Sequence, residues 1–111
     1  MSEDYNGWGN RETWATMLWI DNDEVLLETA MDYTRTAVAE NREGEERDAI
    51  YSLEDTLMNW ITEDLLTREN IAGNEGLWMM LTDIGSLYRV RWYELAEALV
   101  DRVKEEASAN V

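Results

Sequence analysis

Between Glu45 and Thr67 the apolar residues Ile50, Leu53, Leu57, Trp60, Ile61 and Leu65 recur at intervals of three and four. That period lines one side of an α-helix with hydrocarbon and leaves the other to charge, whereas a strand would need alternation. Four more stretches carry it. Trp14, Met17 and Leu18 share a face of a helix from Arg11 to about Ile20, with Asn10 as its N-cap. Asp21-Asn22-Asp23-Glu24 reads as a turn followed by the acid-rich first turn of a second helix, capped at Asp21 or Asn22, that reaches about Glu40 with Leu26, Leu27, Ala30, Met31, Tyr33, Ala37 and Val38 inward. Leu77, Met80, Leu81, Ile84 and Leu87 mark a short fourth helix, and Trp92, Leu95, Ala96, Leu99 and Val103 a fifth that starts near Arg91. Leu87 to Trp92 shows a weak alternation that ranks below an interhelical turn. No heptad seam persists, so the expected fold is all-α, a single-domain irregular bundle of about five helices. Residues 1–9 are expected to form an irregular arm, 10–107 the helical domain and 108–111 a tail.

Among 111 residues there is no Cys, His or Pro. Thiol and imidazole nucleophiles, disulfides and sulfur- or nitrogen-ligated zinc are thereby excluded, and no cofactor or metal is expected. Carboxylates are abundant. Nine basic against 25 acidic side chains leave a net charge of 9 − 25 = −16, and Lys104 is the one lysine. Direct nucleic-acid binding is not expected, because gripping phosphates requires a positive face. Anionic membrane surfaces are disfavoured for the same reason, and with only short apolar runs and an acidic start, Met1-Ser2-Glu3-Asp4, the chain reads as cytoplasmic.

The acids are arranged in rows. Glu24, Glu28 and Asp32 repeat every four residues, and Glu94, Glu97, Asp101 and Glu105 line the outer face of the last helix. Like charges one turn apart cost a few tenths of a kcal/mol each in dilute salt. They therefore suit either a salty cytoplasm, where the Debye length shrinks to roughly 3 Å at 1 M, or a cationic partner. Successive charges along such a row are spaced by about 6 Å of helix rise, on the scale of neighbouring phosphates, so imitation of DNA toward a protein with a basic surface is a physical option. Both readings stand at this stage.

Six Trp accompany no Phe. Trp14, Trp60 and Trp92 fall on inward stripes, Trp8 and Trp19 are expected to pack within the molecule, and Trp78 is a candidate contact for a partner. Asp21, Asp23 and Glu24 invite a calcium reading that fails, since a loop starting at Asp21 puts Leu26 where the sharp turn needs Gly. A carboxylate-dependent metal hydrolase is the one enzymatic alternative, with Glu12 and Glu63 its candidate acids. No motif supports it, and the expectation is a non-enzyme.

The opening Asn6-Gly7-Trp8-Gly9-Asn10-Arg11-Glu12-Thr13-Trp14, continued by Leu18-Trp19-Ile20-Asp21-Asn22-Asp23-Glu24, resembles that of a family of small uncharacterised proteins of phages, plasmids and haloarchaea. The closing Val90-Arg91-Trp92-Tyr93-Glu94-Leu95-Ala96-Glu97-Ala98-Leu99 resembles that family's last helix. Gly9 stands where the family pattern more often has Thr or Ser. The resemblance transfers no catalytic residue; it implies an accessory or counter-defence role in mobile elements and a salt-adapted surface. Asn10, Glu12, Thr13, Trp14, Trp19, Asp21, Asn22, Asp23 and Trp92 are read as a structural motif in which caps and tryptophan packing set the angle between the first two helices.

Overall fold

A computed structural model describes residues 5–109. Six α-helices make up the fold: α1 (Arg11–Asp21), α2 (Glu24–Glu40), α3 (Glu46–Asn59), α4 (Arg68–Ala72), α5 (Glu75–Ile84) and α6 (Trp92–Ala109). No strand occurs among the described residues, and Leu87–Arg89 is a single 3₁₀ turn, as an interhelical connection there requires. The all-α bundle expected from the periodicity is the fold, with one short helix more than expected.

Side-chain oxygens start most of these helices. Asn10 accepts from the Thr13 amide, Asp23 from Val25 and Leu26, Thr67 from Asn70 and Asn74 from Leu77. Glu45 and Asp48 form a reciprocal capping box at α3. Gly85, at φ 85°, ends α5 in a backbone conformation that a side chain would strain. The core gathers Met17 and Ile20 of α1, Leu26 and Ala30 of α2, Leu53 and Leu57 of α3, Met80 and Ile84 of α5, and Leu95, Leu99 and Val100 of α6. Helix α6 packs along α3 and α2 and is the element around which the others assemble.

Several expectations are corrected. The third helix does not run regularly to Thr67. After Asn59 it widens into a π turn, Trp60–Leu65, closed by the Leu66 amide on the Ile61 carbonyl at 3.0 Å. The extra residue lets the consecutive Trp60 and Ile61 both face inward. It also shifts the register, so that Leu66 is buried where Leu65 was expected and Leu65 is half-buried. The stretch Arg68–Ala72 forms α4, held by Thr67 and by Asn70, whose side chain donates to the Asp64 and Leu65 carbonyls. Leu87 lies beyond the end of α5, Val103 is half-buried, and Ser108 and Ala109 continue α6 instead of starting a tail. Residues 110 and 111 of that tail and residues 1–4 of the arm lie outside the described residues.

Tryptophans divide differently from the stripes. Trp60 and Trp92 are buried, but Trp14 is half-buried because it stands at the edge of α1, where Tyr5 covers it at a ring separation of 4.8 Å. Trp8 and Trp19 pack against the core, as expected, and Trp78 is 52% exposed. No helix of the described residues is long and apolar enough to cross a membrane.

Candidate functional site

The two segments that carry the resemblance, nearly eighty residues apart, are bonded to each other. Asn6 and Gly7 both have positive φ, 51° and 92°, and the Asn-Gly pair turns the chain so that Tyr5 and Trp8 bridge. Both angles belong to the tight turn for which Asn-Gly is the preferred sequence. The returning segment delivers Gly9 to α6, where its amide donates to Glu94 Oε1 at 2.8 Å. A Cβ on Gly9 would meet the Glu94 carboxylate and the Arg91 side chain, which would have to swing aside to admit it.

Asn10 and Thr13 complete this clasp. The Asn10 carbonyl oxygen accepts from the Thr13 amide at 2.9 Å and from the Thr13 hydroxyl at 2.6 Å, while its amide nitrogen donates to the Arg89 carbonyl at 2.8 Å. The same Thr13 hydroxyl accepts from the Arg91 amide at 2.8 Å, immediately before α6 begins. Glu12 pairs with Arg89 at 3.5 Å and Glu94 with Arg91 at 3.4 Å. Thr13 is fully buried and has both its donor and its acceptor used. Asn10, Glu12 and Thr13 thus join α1 to α6; the α1–α2 corner is set by Asn22, which donates to the Leu18 carbonyl, and by the Asp23 cap.

Toward its C-terminus α6 is tethered by ions. Arg102 holds Asp21 of α1 with two bonds of 2.7 and 3.0 Å, Arg35 of α2 holds Glu106 with two of 3.0 and 2.9 Å, and Lys104 reaches Glu46 of α3 at 2.8 Å. Their partners raise the pKa values of Arg35, Arg102 and Lys104, and the Arg35 hydrogen bond holds the Glu106 carboxyl below its usual range. Partial burial, reinforced by Glu97 and by Tyr51, Glu54 and Glu46, pushes the Tyr93 hydroxyl above its usual range.

These uses separate the acids of the two rows. Glu94 is half-buried and committed to Gly9 and Arg91, and Asp32 pairs with Arg35 at 3.3 Å. Glu24 and Glu28 on α2, and Glu97, Asp101 and Glu105 on α6, are exposed and form no ion pair among the described residues. Glu97 and Asp101 border a groove of about 390 Å³ whose other wall is Asn6, Gly7 and Trp8. Glu12 is covered by its pairing with Arg89, and Glu63 is exposed on the π turn. Among the described residues no three carboxylates converge closely enough to hold a metal ion.

A second concave surface lies between α1 and α5. Asp83 accepts from the Trp19 indole at 2.7 Å and from Arg11 at 3.2 Å, drawing the helices together beside a groove of about 270 Å³ lined by Leu18, Trp19, Asn22 and Asp83. Leu18 is 39% exposed, and on α5 Trp78 and Met79 are both 52% exposed. The sequence stripes do not single out Met79, although it is as exposed as its neighbour Trp78. No curated protein and no solved structure gives a significant match to the chain. The model of a family of unknown function, DUF7249, matches residues 1–96, and the chain belongs to that family.

Proposed function

We propose that the protein is a non-enzymatic interaction module that presents carboxylate rows to a basic surface on a protein partner. One observation carries the reading: Glu97, Asp101 and Glu105 on α6, with Glu24 and Glu28 on α2, are exposed and form no ion pair among the described residues, although arginine and lysine side chains elsewhere tie helices together. Rows placed only for stability would alternate in sign along the helix. Complementary potentials accelerate encounter and select partners more than they add affinity, so the interaction is one that salt weakens.

The partner surface that fits best is one that otherwise accommodates phosphates, since both it and these rows match charge repeated at short intervals. A salt-rich cytoplasm and an accessory role in a mobile element agree with the surface and with the resemblance. A fluorescent deca-arginine peptide tests the reading. It is expected to bind at low ionic strength, to dissociate as KCl is raised, and to bind more weakly to a Glu97→Gln/Asp101→Gln/Glu105→Gln variant. Equal binding by that variant would overturn the assignment.

A further inference from the structure

We infer that Asn6 is a self-modification site: the Gly7 backbone nitrogen closes on its side-chain amide, and the resulting imide opens to aspartate or isoaspartate, loosening the clasp on α6. The reaction needs no partner and is independent of what the carboxylate rows bind.

Of the asparagines, only Asn6 precedes a glycine, which brings no side chain to crowd an attack by its own nitrogen. Both residues are exposed, and no atom beyond the neighbouring residues lies within 4 Å of where a Gly7 Cβ would stand. Among the described residues the Gly7 N–H has no acceptor and the Asn6 side chain no hydrogen-bond partner. Two backbone hydrogen bonds between Tyr5 and Trp8 close the turn, and so small an exposed unit opens readily.

The other asparagines of the described residues are held. Asn10 and Asn74 cap helices, and Asn22, Asn41 and Asn70 donate to backbone carbonyls. Asn59 lacks such a bond, but the amide that follows it, that of Trp60, already donates to the Leu57 and Thr56 carbonyls.

In the reaction the Gly7 nitrogen gives up its proton and bonds to Asn6 Cγ, the Cγ–Nδ2 bond breaks, and ammonia leaves with that proton. Water then opens the cyclic imide. Cleavage between the nitrogen and Cγ yields aspartate, whereas cleavage at the main-chain carbonyl reroutes the backbone through the side chain as isoaspartate. Either product adds a carboxylate to the groove that Glu97 and Asp101 border, where like charges repel. Isoaspartate also lengthens the main chain by one carbon in a turn whose geometry fits two residues. Gly9 then no longer meets Glu94 in register, and Tyr5 is drawn from Trp14.

The test is to warm the purified chain at neutral pH over weeks and to follow each asparagine by digestion and tandem mass spectrometry. The mass gain of an amide becoming an acid is expected at Asn6 severalfold faster than at Asn10, Asn22, Asn41, Asn70 or Asn74. Hydroxylamine, which intercepts the imide, should split the chain between Asn6 and Gly7. The isoaspartyl fraction, separated by anion exchange, should melt at a lower temperature than fresh protein. Asn6→Gly, which keeps a residue suited to positive φ but has no amide, should keep its melting temperature through the same incubation. Asn6→Asp, with the charge but not the longer backbone, should melt between fresh protein and the isoaspartyl fraction. Conversion at Asn6 no faster than at the capping asparagines would overturn the inference. So would an isoaspartyl fraction that melts like fresh protein, or an equal loss of stability on incubating Asn6→Gly.

Discussion

The clasp around Gly9, Asn10 and Thr13 and the groove between α1 and α5 use the same helix in opposite ways. In the clasp each polar group has its partner within the molecule: the Thr13 hydroxyl donates to Asn10 and accepts from Arg91, and Glu94 is spent on Gly9. In the groove Asp83 supplies the polar frame, but Leu18 keeps much of its apolar surface in water. Satisfied, buried polar groups hold a fold together, because leaving one unpaired is costly. Exposed large side chains contribute little to folding and are available for something else. The contrast separates the residues of the opening motif into those that build the molecule and those, Leu18 and Trp19 among them, that border its surface concavity.

Thr13→Val is the most direct way to break that contrast. It leaves the Arg91 amide without its acceptor in a buried setting and should lower stability by about 1–3 kcal/mol in urea denaturation. A neutral result would mean that the clasp does not join α1 to α6 energetically. Gly9→Ala should cost less than about 1 kcal/mol, because the Glu94 and Arg91 side chains it displaces are flexible. Restoration of that loss by Glu94→Ala in the same chain would locate the effect in the contact. Glu24→Gln/Glu28→Gln should act in the other direction, stabilising by a few tenths of a kcal/mol at low salt and by nothing measurable at 1 M KCl. Met79→Ser should shift stability by less than about 0.5 kcal/mol, because the side chain is exposed.

The smallest effects concern pH. Because Arg35 depresses the Glu106 carboxyl, their pair stabilises the fold above the ordinary glutamate pKa and is lost as pH falls through the lower folded value. Any stability difference between the parent and Glu106→Gln should therefore shrink as pH falls below the ordinary glutamate range and vanish below the depressed value of the folded protein. Tyr93 has the opposite sign. Its raised pKa stabilises the fold below the ordinary tyrosine range and loses that contribution as pH rises through the folded value. In an ultraviolet titration of the folded protein, Tyr93→Phe should remove the latest-ionising tyrosine; loss of an earlier phase would contradict the influence of the surrounding carboxylates.

Much of the architecture was legible in the chain because helical periodicity and caps act locally. Leu53, Leu57, Leu95 and Leu99 announced their burial by spacing and Asn10 its helix start by residue type, whereas the cap of α2 is Asp23 and not Asp21 or Asn22. The Asn6-Gly7 pair also carried its turn openly, although a reading of the arm as irregular passes over it. The π turn was hidden, since Trp60, Ile61 and Leu65 fit a regular helix equally well and the shift to Leu66 depends on what α3 meets. Helix α4 was hidden too, being only five residues long and without an apolar stripe of its own.

Local chemistry thus determined that the chain is helical, where most helices begin, and that its surface is strongly acidic. Tertiary structure decided which acids remain available. Glu94 and Glu97 are neighbours in one row by spacing, yet Gly9 arrives at the first and leaves the second in solvent. Tertiary structure also set Leu18 beside Asp83 across two helices. Periodicity records only which face of a helix is apolar, whereas pairing between distant segments follows from how those faces pack, and packing is a property of the whole chain.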